Sequence, residues 1–318
     1  MKEKRIGYLY IVLCAVIFSF VEVALKFTGG MFHPMQITML RFLIGGTVLL
    51  PFALRSIRGR GAALTWADIG FFALLGCLFA CVTMTIYQLA VVYAPASVVA
   101  VLFSCNPIFI TVLAGLILKE PIRRNHVLAL CLEAAAVLII IDPVHARLSV
   151  RGALFALLSA ALFALYSVLG KKRAARFGGI AVTSLCSLFG SAELLLLLLL
   201  GHTRAGAALY GAVGLSVYTD VPILSTLTRA SLPWLLYLGV ISTGLGFVFH
   251  MLAMEKTGAQ TASIAFFLKP MLAPLFALAV IHEEIRLNVW IGILCFLVGS
   301  GVAILPGVLE ARRAERQT

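Results

Sequence analysis

Hydrophobic positions run along this chain in long unbroken blocks, and charged positions gather in the short segments between them. A helix needs roughly 20 residues to cross the apolar part of a bilayer. Ten blocks reach that length: residues 7–27, 34–54, 66–90, 95–118, 124–142, 151–170, 178–200, 232–254, 258–281 and 287–306. The short alternating segments of a membrane β-barrel are absent. The pattern predicts an all-α polytopic membrane protein of ten transmembrane helices seated in a lipid bilayer. The first block follows "MKEKR", as a signal peptide would. No small-x-small site closes it and further spans follow, so it is predicted to be a spanning helix.

The blocks repeat. "GYLYIVLCAVIFSFVEVALK" from Gly7 aligns without gaps on "GALFALLSAALFALYSVLGK" from Gly152, pairing Ala15 with Ala160, Phe18 with Phe163 and Lys26 with Lys171 at an offset of 145. Farther along, the offset is 163 and pairs Gly76 with Gly239, Phe103 with Phe266, Pro107 with Pro270 and Glu120 with Glu283. The offset changes by an 18-residue insertion between helices seven and eight, inside "GHTRAGAALYGAVGLSVYTDVPILSTLTRASLP". The division expected is a five-helix repeat over 1–145 and a second over 146–318. Five is odd, so the second repeat enters the membrane inverted, the arrangement of many secondary transporters.

Charge sets the orientation. Of the 25 lysines and arginines, 17 fall in segments on the side of the N-terminus and 6 on the other side, with Arg41 and Lys269 inside spans. The positive-inside rule then puts both termini in the cytoplasm, with the protein multi-pass in the cytoplasmic (inner) membrane. The formal charge of +12 is accounted for by these turns. Nowhere does a basic groove with interleaved aromatics accumulate, so no nucleic-acid partner is expected. Composition agrees, at 62% hydrophobic residues, 12% charged and a mean hydropathy of +1.08. The seven cysteines lie inside apolar blocks without CxxC spacing and read as small hydrophobes, not as a metal site or disulfide framework. The loops lack His clusters and Asp-rich segments, and "HEEI" lacks the second histidine of H-E-x-x-H. Neither an enzyme nor a cofactor is indicated. Oligomeric state is open.

The candidate chemistry lies within the spans. "IAFFLKPMLAP" sets Lys269 directly before Pro270, in mid-helix, and its repeat mate "LFSCNPIFITV" sets Asn106 before Pro107. A proline there removes a backbone donor and bends or opens the helix, which serves either a cavity wall or a packing kink. A lysine at the centre of a spanning helix costs about 2.5–3.5 kcal/mol on insertion scales. It persists where it faces substrate, a carboxylate or water. Arg41 is a second intramembrane cation, read either as a site residue or as a side chain snorkelling to the interface. Three carboxylates lie within spans. Glu22, near the outer end of the first helix, reads as solvated. Glu133 and Glu193 are deeper and could pair with the cations. Burial favours a neutral carboxyl group, so proton coupling is chemically available to all three. Tyr87 and its repeat mate His250 complete the polar set, His250 reading as a hydrogen-bonded histidine or a proton carrier. Glu120 and Glu283, which close helices four and nine, are expected to cap helices five and ten.

The segments "GYLYIVLCAVIFSFVEVALK", "RFLIGGTVLL", "YAPASVVAVLFSCNPIFITVLAGLILKEP" and "TGAQTASIAFFLKPMLAPLFALAVIHEEI" resemble the EamA family of the drug/metabolite transporter superfamily, over about 7–306. The last two look like the two copies of that family's characteristic segment. The resemblance implies two inverted five-helix halves around a central cavity lined by helices one to four and six to nine. It implies alternating-access transport of amino acids, related metabolites or toxic compounds, often outward. In related phosphate-sugar translocators basic residues on the cavity helices hold an anion, a role only Lys269 and Arg41 could match. The expectation is a secondary exporter of a small polar metabolite, an amino acid or another carboxylate-bearing compound, with Lys269 on the carboxylate and Asn106 opposite. The alternative is proton-coupled efflux of lipophilic cations through a membrane glutamate.

Overall fold

The computed structural model describes residues 2–120, 124–141 and 149–316, the side chain of Glu133 not among them. Among the described residues, eight helices are long and apolar enough to cross a membrane: α1 (Arg5–Phe27), α2 (Pro34–Gly59), α3 (Trp66–Tyr93), α4 (Ala96–Leu118), α6 (Val150–Phe177), α7 (Gly179–Gly201), α8 (Leu232–Thr257) and α9 (Ala259–Ile281). Two more, α5 (Arg124–Ile141) and α10 (Leu287–Arg316, apolar over Leu287–Gly299), pack along one another, with Asn288 Nδ2 donating to the Ile140 carbonyl at 3.0 Å. There is no strand among the described residues. Leucines such as Leu74, Leu116 and Leu196 stand outward, as lipid-facing positions do. The architecture is the expected one, ten helices in two inverted halves.

The repeat reappears as geometry. Wide π-helical turns interrupt α3 at Cys77–Met84 and α8 at Tyr237–Gly246, overlapping at the repeat offset. Such turns leave carbonyls out of the regular ladder and frequently mark functional sites. Lys119 and His282 end α4 and α9 in the left-handed conformation, at φ 57° and 52°. In both places the next amide donates back to the helix, Glu120 N to Ala114 O and Glu283 N to Ala277 O, each at 3.2 Å.

That turn redirects the two glutamates. They were expected to cap helices five and ten, but each reaches across to the other half. Glu283 accepts from Ala96 N at 2.7 Å, from Ser97 N at 3.0 Å and from the Ser97 hydroxyl, capping α4. Glu120 accepts from Ala259 N at 3.4 Å at the start of α9 and pairs with Lys171. The left-handed residue folds the chain back, so the carboxylate meets an incoming antiparallel helix. Glu283→Ala should strip α4 of its cap and lower unfolding stability in detergent by about 1–2 kcal/mol, with Glu283→Gln losing less. Thermal unfolding of the purified protein checks this.

The end that carries the termini is laced shut. Asp68 takes Arg173 at 2.9 Å and Arg176 at 3.2 Å, Arg60 pairs with Glu255, and Tyr10 stacks on Phe249 at 5.6 Å. Mid-bundle, two symmetry-related aromatic pairs fill the centre, Phe18 with Phe266 at 6.0 Å and Phe103 with Phe163 at 5.5 Å. Toward the opposite end the structure opens. A cavity of about 290 Å³ lies among the ends of α1 and α3 and the start of α2, lined by residues that include Leu25, Lys26, Ile37, Gln88 and Val91. The segment between α7 and α8 forms a short helix (Arg204–Ala212) and packs over α2 and α3. There Gln36 bonds the Ile223 carbonyl and Thr226, and Tyr218 Oη donates to the Cys81 carbonyl at 3.2 Å.

Candidate functional site

Lys269 answers for its burial with a partner. Its Nζ forms an ion pair with Glu22 Oε1, and the two side chains are 2% and 0% exposed. Tyr87 Oη donates to the same carboxylate oxygen at 2.6 Å. The ammonium also lies 4.8 Å from the centre of the Phe103 ring and 5.8 Å from that of Tyr87, where ring quadrupoles favour a cation.

Glu22 was expected to be solvated, and it is fully buried. The cause is a break in α1. Its helical ladder is interrupted at Phe20, and a second short helix, Val21–Phe27, begins there. Residues 21 to 25 of that helix are all buried, which turns Glu22 toward α9.

Arg41 is also enclosed, at 1% exposed, so it does not snorkel. Its Nη2 reaches only the Met84 thioether, at 3.5 Å, its Cζ lies 5.0 Å from the Phe42 ring, and its Nε has no partner among the described residues. Glu22 and Tyr87 are within electrostatic reach. Among the described side chains the cluster therefore holds two cations and one carboxylate.

Gln88 is a residue that sequence reasoning passed over. It lines the cavity, is 4% exposed, and its Oε1 has no partner. The free oxygen of Glu22, Oε2, is likewise buried and unpaired. Three further liners stand four residues from charged or polar members of the cluster: Lys26 from Glu22, Ile37 from Arg41 and Val91 from Tyr87. That spacing is one helical turn, so Glu22, Arg41 and Tyr87, none of them in the lining itself, stand one turn deeper than these liners. The periodicity of α2 and α3 carries this signal. The cavity itself depends on how the loop after α1 packs.

The remaining candidates are elsewhere. Asn106 does not face Lys269. Its Nδ2 donates to the Ala160 carbonyl at 2.7 Å, and its Oδ1 is unpaired. His250 shares a hydrogen bond with Ser167 Oγ through Nε2 at 3.1 Å, its ring 5.3 Å from Phe163. Ser167 and His250 are the repeat mates of Glu22 and Tyr87. The same polar contact thus occurs in both halves, charged in one and neutral in the other. Glu193 sits on α7 beside Cys77 and Cys81, apart from the cations. Glu133 is on α5, its side chain outside the described residues.

Of the two prolines, Pro107 follows a true break at Ser104–Cys105 and begins a new helix at its second position, where a missing amide costs nothing. Pro270 does not break its helix. The interruption in α9 falls earlier, at Ser263–Ile264, and the helix then runs through Pro270 and Pro274 to Ile281. With the chain already redirected there, the prolines are absorbed within the new segment.

The sequence pattern of the EamA-like transporter family matches residues 5–142 and again residues 150–305. A protein of Clostridium kluyveri described as an uncharacterized transporter is 34% identical over 302 residues, covering 92% of this chain and 91% of that one. Two proteins of Archaeoglobus fulgidus with the same description are 24% and 28% identical, covering 91% and 97% of this chain and 93% and 97% of theirs. A crystal structure of another protein superposes with a TM-score of 0.66 at 20% identity, over 96% of each chain, and speaks to the fold alone.

Proposed function

This chain belongs to the EamA-like transporter family, and on that premise we propose that it exports a small carboxylate-bearing metabolite across the cytoplasmic membrane by alternating access. Family members are membrane transporters. The observation that carries the proposal is the surplus cation among the described side chains, Lys269 and Arg41 set against Glu22 beneath the cavity. In a medium of low dielectric a surplus charge is costly until an anion joins it. A substrate carboxylate on Arg41 neutralises the cluster.

The unpaired atoms refine the substrate. Arg41 Nε is a vacant donor, and Glu22 Oε2 and Gln88 Oε1 are vacant acceptors. A carboxylate with a neighbouring hydroxyl or amine supplies both complements, as 2-hydroxy and 2-amino acids do. Glu22 acts as a resident anion that holds Lys269 until substrate shares it. The ion pairs at the end with the termini support a state closed on that side, which is the cytoplasmic side if the positive-inside rule holds here.

The test is a thermal-shift screen of the purified protein against monocarboxylates, 2-hydroxy acids, amino acids, dicarboxylates and lipophilic cations. Hits are then assayed for uptake into reconstituted vesicles. Stabilisation by carboxylates bearing a donor group, lost in Arg41→Met, is the expected result. Stabilisation confined to lipophilic cations would favour the glutamate-centred efflux alternative and overturn this one.

A further inference from the structure

A second polar cluster lies away from the cations, where α3 crosses α7. Gly76 and Gly190 meet there so closely that a Cβ built on Gly76 would stand 2.7 Å from the Cys186 carbonyl and 2.8 Å from Gly190 N. This contact between backbones fixes the two helices in register. Just beyond it Cys77 and Cys81, one turn apart on α3, face Glu193 from α7. One ligand atom from each lies within 4.8 Å of the others. Both thiols are free, Cys81 Sγ touches the Gly190 carbonyl at 3.4 Å, and Glu193 Oε2 is a buried oxygen with no partner. Cys77 and Glu193 are half-buried and Cys81 is buried.

The repeat supplies an internal control. At the equivalent positions of the other half stand Val240, Gly244 and Val48. The fold therefore packs this crossing without ionisable groups, Thr243 being the polar side chain against Gly45 there. A carboxylate and two thiols have replaced apolar residues at membrane depth, where an ionisable side chain carries a cost that structure alone does not require.

We propose that Cys77, Cys81 and Glu193 form a binding site for a thiophilic divalent cation of the zinc and cadmium class. Two thiolates and one carboxylate oxygen suit such an ion, leaving one position of a tetrahedral set for water. On binding, the thiols release their protons to solvent and each sulfur donates a lone pair to the metal. No oxidation state changes. Because α3 belongs to the first half and α7 to the second, the ion ties the halves together. Hard cations such as magnesium should not compete.

Cadmium is the probe. Titrated into the full-length reduced protein in detergent, Cd2+ should raise a thiolate-to-metal charge-transfer band that saturates at one ion per chain. The Cys77→Ser/Cys81→Ser variant should lose the band, Glu193→Gln should weaken binding tenfold or more, and Cys131→Ser, on the exposed side of α5, should leave it unchanged. A second reading needs no substitution. Alkylation of the wild-type cysteines, read by mass spectrometry, should show Cys77 protected by Cd2+ and Cys131 not. Absence of a band, its persistence in the double serine variant, or equal alkylation of Cys77 with and without Cd2+ would each overturn the proposal. These outcomes do not depend on Lys269 or on the transported substrate.

Discussion

Lys269→Met should destabilise the protein by about 3–5 kcal/mol, because it leaves Glu22 charged, buried and without its cation. Tyr87 still donates one hydrogen bond to that carboxylate, which is too little to replace an ammonium. The measurement is thermal unfolding in detergent, alongside uptake in reconstituted vesicles. Glu22→Gln combined with Lys269→Met separates two roles. With both charges gone the pair leaves neither member buried without its counter-ion, and stability should return to within about 1 kcal/mol of wild type. Transport should not return. If the double variant folds and transports as wild type does, the pair is a structural salt bridge and its assignment to the substrate site is wrong. The single variant Glu22→Gln should lie between, retaining the Tyr87 contact while Lys269 keeps only ring faces and an amide oxygen.

Much of this fold was legible in the sequence, and the reason is the membrane. Within a bilayer every backbone donor must be satisfied inside its own segment, so a block of 20 apolar residues has one outcome. Lys26 with Lys171, Glu120 with Glu283 and Phe103 with Phe266 carried the repeat because these residues make equivalent contacts in both halves. Lys171 pairs with Glu120, for example, and Lys26 feels Glu283. The candidate site was legible only in part. Lys269 stood out because an amine among apolar residues is expensive. The identity of its partner did not follow, since it depends on a break at Phe20 that no proline or glycine announces. The break in α9 was misplaced for a related reason. Pro270 is the visible helix breaker, yet the ladder gives way at Ser263–Ile264. Cys77, Cys81 and Glu193 were unreadable as a group, because the third comes from a distant helix and the glycine crossing that joins them exists only in three dimensions.

Arg41→Met should produce the opposite of the Lys269 result, an unchanged or more stable protein that no longer binds substrate. Arg41 has no carboxylate of its own. It touches a thioether and an aromatic face, and its Nε is unpaired, so the fold bears the desolvation of a guanidinium without recovering it through a partner. Methionine fills similar space beside Met84 and Phe42 and removes that burden. A gain of about 1–3 kcal/mol is expected from the replacement of buried ions by apolar residues elsewhere. Binding should fall by about 100-fold or more, since a desolvated contact between charged groups is worth about 2–5 kcal/mol. Arg41→Lys should recover little. An ammonium keeps the charge but not the planar fork that can hold a carboxylate through two parallel bonds. The pattern to look for is a higher melting temperature with no ligand-induced shift. Such a residue is retained against stability, which is what a site selected for function leaves behind. Should Arg41→Met instead unfold the protein while Lys269→Met is tolerated, the roles of the two cations are exchanged, and Arg41 rather than Lys269 is the one that Glu22 holds in place.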